Sequence, residues 1–150
     1  MSFTDFEIEY MNGLELGRLA TVRPDGAPQA SPVVFAYNPE LGTIDIPGFA
    51  MSKSQKYRNI AVNPRVAFVI DDIASHDPWR VRCLEIRGVA EQAEVPVPGK
   101  SAEGDDLDTA IIRITPQKII SYGIDDLISD PHTLKVRSRV VEAPQAPGDR

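Results

Sequence analysis

Leu19-Ala20-Thr21-Val22-Arg23-Pro24-Asp25-Gly26-Ala27-Pro28 decides the architecture, because it sets a tight turn between two β-forming segments. Pro24 fixes one backbone dihedral, Asp25 can close the turn through its own side chain, and Gly26 accepts a positive φ. Before the turn, Gly17 to Val22 reads as a strand. After it, Pro28 to Tyr37 reads as a second. Asn38-Pro39-Glu40-Leu41-Gly42 turns the chain again, and Thr43 to Ile46 makes a third strand. Strands joined by so few residues pair antiparallel.

Further out, Thr4-Asp5-Phe6-Glu7 has the pattern of a capping box, with Thr4 and Glu7 satisfying each other's backbone N–H. It predicts a helix over Asp5 to Asn12, closed by Gly13, with Phe6, Tyr10 and Leu14 as its packing stripe. Ser54 to Val62 predicts a second helix, which Asn63-Pro64 stops because a residue before proline avoids the α region. Arg65 to Asp71 and Val81 to Glu91 read as strands, the latter with Leu84, Ile86 and Val89 inward. Ala110 to Thr115 and Lys118 to Gly123 read as two strands or one bent at Pro116. Glu94 to Asp108 is rich in Pro, Gly, Ser and acid and is expected to be a mobile loop. Residues 142–150 are expected to be a disordered tail. The expected fold is therefore one mostly β domain over residues 1–141. About six antiparallel strands close into a small barrel, which removes exposed edges, with short peripheral helices.

The 150 residues carry a net charge of −6, which weighs against nucleic acid and membrane surfaces as partners. No apolar run nears the roughly 20 residues that cross a bilayer. The first residues lack the basic and apolar regions of a signal peptide. Cys83 is the one cysteine and can form no internal disulfide. These features suit a reducing cytoplasm.

Against that acidic background one segment is locally cationic: Ile46-Pro47-Gly48-Phe49-Ala50-Met51-Ser52-Lys53-Ser54-Gln55-Lys56-Tyr57-Arg58-Asn59-Ile60. A strand runs into a Gly-containing loop, and hydroxyls and amines gather where a helix begins. A helix start has free backbone N–H groups, and nearby cations add to their field. The arrangement suits a phosphate. The plain alternative is a solvated helix face.

Other motifs carry less. Gly99-Lys100-Ser101 lacks the glycine that a phosphate loop needs five residues before Gly99, since that position is Glu94. There is no Gly-rich dinucleotide fingerprint. His76 and His132 stand apart without zinc spacing, and Asp105, Asp106 and Asp108 lack the spacing of a calcium loop. No metal is expected. Cys83 is read as buried packing. Trp79 is read as core or dimer packing, or as stacking near a cofactor. Tyr57 and Tyr122 are read as packing residues, and no catalytic acid is assigned.

Several segments, taken in order, resemble the pyridoxamine-phosphate-oxidase-like split barrels that bind flavin mononucleotide (FMN). They resemble most closely the branch that uses the deazaflavin coenzyme F420. These are Leu19 to Gly26 with Pro28, Ser31-Pro32-Val33, Ser54 to Ile60, Asn63-Pro64-Arg65-Val66, Ile86 to Glu91 and Ile114 to Gly123. The resemblance spans roughly Phe6 to Gly123. It implies a six-stranded antiparallel split β-barrel and a homodimer with the cofactor at the subunit interface. It further implies that Ser31, Pro32 and Val33 meet the ring system, with Ile46 and Pro47 beneath it. Ser54, Gln55 and Lys56 would line the phosphate region, with Lys53 beside them. Flavin-binding relatives usually have Arg where Gln55 stands, which weakens the FMN alternative. The implied activity is hydride transfer between reduced F420 and a small organic C=C or C=N acceptor, with a dehydrotetracycline-type polyketide as one substrate possibility. An FMN oxidoreductase and a cofactor-binding protein without turnover are the alternatives.

Overall fold

The computed structural model describes residues 2–95 and 108–142. The expected loop falls largely, and the expected tail almost wholly, outside them, as do Gly99 to Ser101, Asp105 and Asp106.

Eight strands form one sheet: β1 (Leu16–Val22), β2 (Pro28–Val34), β3 (Ala36–Asn38), β4 (Thr43–Ile46), β5 (Arg65–His76), β6 (Trp79–Glu94), β7 (Ala110–Tyr122) and β8 (Arg137–Val140). The helices are α1 (Asp5–Asn12) and α2 (Gln55–Val62). The hydrogen-bonded order is β2-β1-β5-β6-β7-β4-β3, with β8 beside β7, and every pairing is antiparallel.

The expected second strand is thus two strands. β2 follows β1 as far as Val34 opposite Leu16, and β3 takes up β4 from Ala36 opposite Asp45. Phe35 is the hinge between these partners, and its ring meets Phe68 edge-on at 5.2 Å. Because β2 and β3 are one bent ribbon, the two ends of the sheet meet there and the barrel closes through the chain itself.

The turn chemistry is as expected. In the first turn Gly26 has φ +87°, Gly26 N–H donates to Arg23 O at 2.8 Å, and Asp25 accepts from Ala27 N–H at 3.0 Å. In the second turn Asn38 accepts from the N–H groups of Glu40 and Leu41.

The barrel interior is filled by Leu19, Ile44, Ile46, Phe68, Ile70, Leu84, Ile86, Ile112 and Ile114, all almost wholly buried. Each such side chain contributes about 1.5–3 kcal/mol. On β6 the inward positions are Leu84, Ile86, Gly88 and Ala90; Val89, expected inward, faces the other way. The capping box of α1 is present; of its expected packing stripe Tyr10 and Leu14 pack on the core and Phe6 does not. Glu7, Tyr10 and Met11 are buried and Phe6 is exposed. Glu7 goes under because Arg139 of β8 pairs with its carboxylate, a partner that apolar spacing cannot reveal.

Ala110 to Tyr122 is one strand, bent where a residue of β7 is left over between Gly88 opposite Pro116 and Arg87 opposite Lys118. Proline is tolerated at such a bulge because it has no ladder N–H to lose. On its other edge β7 serves β4 from Ile112 to Ile114 and β8 from Lys118 to Ser121. Gly88 is required there: a Cβ would lie 2.1 Å from the Thr115 carbonyl oxygen. Gly88→Ala should lower unfolding stability by about 3 kcal/mol. Gly26→Ala, strained only in its left-handed backbone with open space around it, should cost about 1 kcal/mol. Urea unfolding of the two variants checks the contrast.

Candidate functional site

Ile46, at the end of β4, points wholly into the core, so only its backbone can face a ligand. Half-buried Pro47 leads away. At Gly48 a side chain would crowd Met51, its Cβ falling 2.9 Å from Met51 Cε. Ala50 adopts the left-handed conformation, φ 47° and ψ 42°, which is costly for a residue bearing a Cβ. It turns the chain into a 3-10 turn, Met51–Lys53. Met51 plugs the core while Phe49 stays 72% exposed.

Asp108 ties this turn to the chain leading into β7. Its carboxylate accepts from Ser52 N–H at 3.0 Å, from the Ser52 hydroxyl and from Ala110 N–H. The Ser52 hydroxyl bond is the chief reason its pKa falls to about 2.

Ser54 caps α2, accepting from Tyr57 N–H at 3.3 Å while its hydroxyl donates to Met51 O at 2.7 Å. Gln55 Nε2 donates to Asn59 Oδ1 at 2.7 Å. Arg58 donates to Gln55 Oε1 at 2.8 Å and to Lys53 O at 2.7 Å. Among the described residues, Lys53, Lys56 and Arg58 enter no ion pair.

Of the strand residues, Val33 is buried in the core, Ser31 is half-buried and Pro32 faces outward. The elbow and this strand are joined by Asn59, a fully buried side chain. Its Nδ2 donates to Thr21 Oγ1 at 3.0 Å and to Gln29 Oε1 at 3.1 Å. Gln29 lies two residues before Ser31 on β2, so Asn59, which also accepts from Gln55, ties the start of α2 to that strand. Sequence reasoning singled out neither Asn59 nor Gln29 and weighed Asp108 only as a calcium ligand. The available signal was an asparagine, a weak helix former, in the middle of a short helix.

Clefts of 270–610 Å³ open elsewhere, and none of these four is lined by the elbow or by Ser31 to Val33. In one of them Tyr10 donates to Asp72 at 2.8 Å and to Arg82 O, while Arg82 lies over its ring and chelates Asp72. Burial, then the bond to Asp72, pushes the Tyr10 phenol far above its ordinary value. It is therefore a strut rather than an acid. Tyr122 donates to Pro131 O. Cys83 is half-buried, and burial pushes its thiol up. Trp79 is exposed at the tip of the β5–β6 hairpin, edge-on to His76. Among the described residues no group of three acidic, His or Cys side chains could hold a metal ion, and no helix is long and apolar enough to cross a membrane.

The sequence of residues 7–122 matches the family model for pyridoxamine 5'-phosphate oxidase. The chain belongs to the pyridoxamine 5'-phosphate oxidase family. It is 43% identical over 133 residues to the 5a,11a-dehydrotetracycline/5a,11a-dehydrooxytetracycline reductase of Streptomyces rimosus subsp. rimosus, covering 88% of this chain and 92% of that one. Among solved structures an F420 reductase superposes with a TM-score of 0.52 at 31% identity, over 70% of this chain and 88% of that chain. A conserved hypothetical protein of Mycobacterium tuberculosis superposes with a TM-score of 0.61 at 26% identity, over 79% and 84% of the two chains. An oxidase family and a reductase relative together support a redox enzyme on this split-barrel fold.

Within the family's barrel, the Asp108 anchor has a defined acid limit. A carboxyl whose folded pKa is depressed stabilises above its ordinary value, 3.8 here, and loses that contribution as the pH falls through about 2. The Ser52 amide proton, followed by NMR, should titrate with Asp108 near pH 2 and shift to neutral-pH insensitivity in Asp108→Asn.

Proposed function

We propose that this chain is an F420-dependent reductase that acts as a homodimer on a small organic acceptor, an electron-poor C=C or C=N bond such as that of a dehydrotetracycline-type polyketide. The observation that carries the reading is the elbow. A chain of net charge −6 gathers Lys53, Lys56 and Arg58 at one helix start without neutralising them among the described residues. That donor set fits the anionic tail of a phosphate-bearing prosthetic group. The 31% identity to an F420 reductase and the 43% identity to a reductase of a tetracycline precursor support the choice of cofactor and substrate class.

When bound, reduced F420 supplies the hydride. Lys53 and Lys56 would hold the tail through charge-assisted hydrogen bonds, with backbone donors of the elbow beside them. The backbone of the Ser31 to Val33 strand would meet the ring system, with Ile46 and Pro47 on the next strand. The protein's share is orientation and exclusion of water.

The barrel's outer face supports the dimer. Outward positions on a half-solvated sheet are ordinarily polar, yet here they include Leu16 beside Val34, Ala20 beside Ala30, and Ile73 beside Val81. Leu16, Val34 and Ile73 are each about half exposed in one protomer. A two-fold partner on this face buries them and gives the open shoulder a second wall.

Titration of the purified protein with F420, read by fluorescence quenching, should give saturable binding stronger than that of FMN. A yellow protein with a flavin spectrum favours the FMN oxidoreductase instead. Tight F420 binding without oxidation of reduced F420 by any polyketide acceptor favours a non-catalytic carrier. Lys56→Ala should weaken F420 binding by about tenfold or more. Light scattering of the loaded protein should give twice the protomer mass.

A further inference from the structure

We infer that the cleft between α1, the hairpin of β5 and β6 and the segment joining β7 to β8 holds the acceptor, and that it takes a carbonyl-bearing polycycle without net negative charge; the inference rests on the reading above. The cleft measures 420 Å³, within the range of small-molecule sites. Its apolar walls are Phe6, Leu14, Ile124 and Leu127. Leu14 and Ile124 pack on the core, whereas Phe6 is 56% and Leu127 51% exposed. Two large apolar side chains thus line a cleft without a cover among the described residues, and a flat ring system would bury both. Register sets the place of this cleft relative to the elbow. Asn59 bonds Gln29, which stands opposite Thr21. Val34, about 17 Å further along the strand, stands opposite Leu16, and Leu14 of the cleft lies two residues before Leu16. Elbow, expected ring strand and cleft therefore follow one another along β1 and β2, the order in which tail, ring and acceptor must stand.

Arg82 supplies the polar contact. Its Nε donates to Asp72 Oδ1 at 2.9 Å and its Nη2 to Asp72 Oδ2. The Tyr10 ring lies 5.0 Å from its guanidinium carbon, and the Tyr10 hydroxyl donates to the same Asp72. The guanidinium is thereby held on one edge and one face. Its Nη1 has no partner among the described residues and is open, since Arg80 Nη1 alone among them is both buried and unpartnered. An open donor on a guanidinium already fixed in place, beside apolar walls, fits a carbonyl oxygen. Charge narrows the ligand further. Asp72 cancels Arg82, and exposed Glu9, which also lines the cleft, enters no ion pair among the described residues. The cleft therefore repels an anion, the cofactor's tail included, and accepts a neutral or zwitterionic polycycle.

The test titrates oxytetracycline, a carbonyl-rich zwitterion followed by its own fluorescence, into the cofactor-free wild type, Phe6→Ala, Leu127→Ala and Arg82→Lys. The lysine keeps a cation beside Asp72 and loses the second guanidinium edge. The wild type should bind saturably. Phe6→Ala and Leu127→Ala should each weaken binding by about fivefold, and Arg82→Lys by about tenfold. Separate titrations with F420 should give one affinity for all four proteins. Unchanged thermal midpoints in the two exposed-residue variants separate the loss from folding. If the wild type binds oxytetracycline and all three variants bind it equally well, or if they lose F420 to the same extent, the assignment of the cleft is overturned. If the wild type takes F420 and no oxytetracycline, the cleft assignment falls while the cofactor reading stands. If oxytetracycline binds with the expected losses and F420 does not bind, the cleft stands and the F420 reading falls.

Discussion

The close approach of Gly88 to the Thr115 carbonyl is the constraint on which the barrel depends. β7 must pair with β6 along nearly its whole length on one edge while serving β4 and then β8 on the other. A straight strand cannot point at both. The residue left over in β7 beyond Pro116 bends it, and the bend brings two backbones into contact where only a hydrogen can stand between them. β4 is thereby turned inward to close the cylinder. β8 is turned toward α1, where Arg139 meets Glu7. The C-terminal strand and its ion pair to the first helix thus lie beyond that one kink.

From the same closure comes the shoulder that carries the cationic elbow. β4 delivers the chain at Ile46 with its side chain committed to the core, Ala50 reverses it, and Met51 fastens the 3-10 turn from below. Above, Asp108 holds the turn through Ser52, and Asn59 fixes the following helix to β1 and β2. The cations are thus mounted on a framework fixed from three sides. Arg58 donates to two neutral oxygens, Lys53 O and Gln55 Oε1, which orient its charge and leave it available.

The sequence made the local devices plain. The turns at Asp25-Gly26 and Asn38 to Gly42, the capping box at Thr4 and Glu7, and the helix stop at Asn63-Pro64 are encoded by adjacent residues. The antiparallel barrel followed from their short spacing. What stayed hidden depends on distant partners. Phe35 breaks a strand that looks continuous because its ring finds Phe68. Glu7 is buried because Arg139 reaches it from the far end of the chain. Gly88, and with it the outward turn of Val89, follows from a carbonyl on β7. At the site, Lys53, Ser54, Gln55 and Lys56 were legible as a cluster because they are consecutive or nearly so. The buried amide of Asn59 was not, since its partners Thr21 and Gln29 lie on two other strands.

One edge of the sheet stays open, and its composition has a consequence for the protein's solubility. β2 has β1 on one side and no strand on the other among the described residues. Pro28 and Pro32 each lack the backbone hydrogen that a docking strand would need. A stray polypeptide therefore meets an interrupted ladder there, which makes the edge a poor template for strand addition.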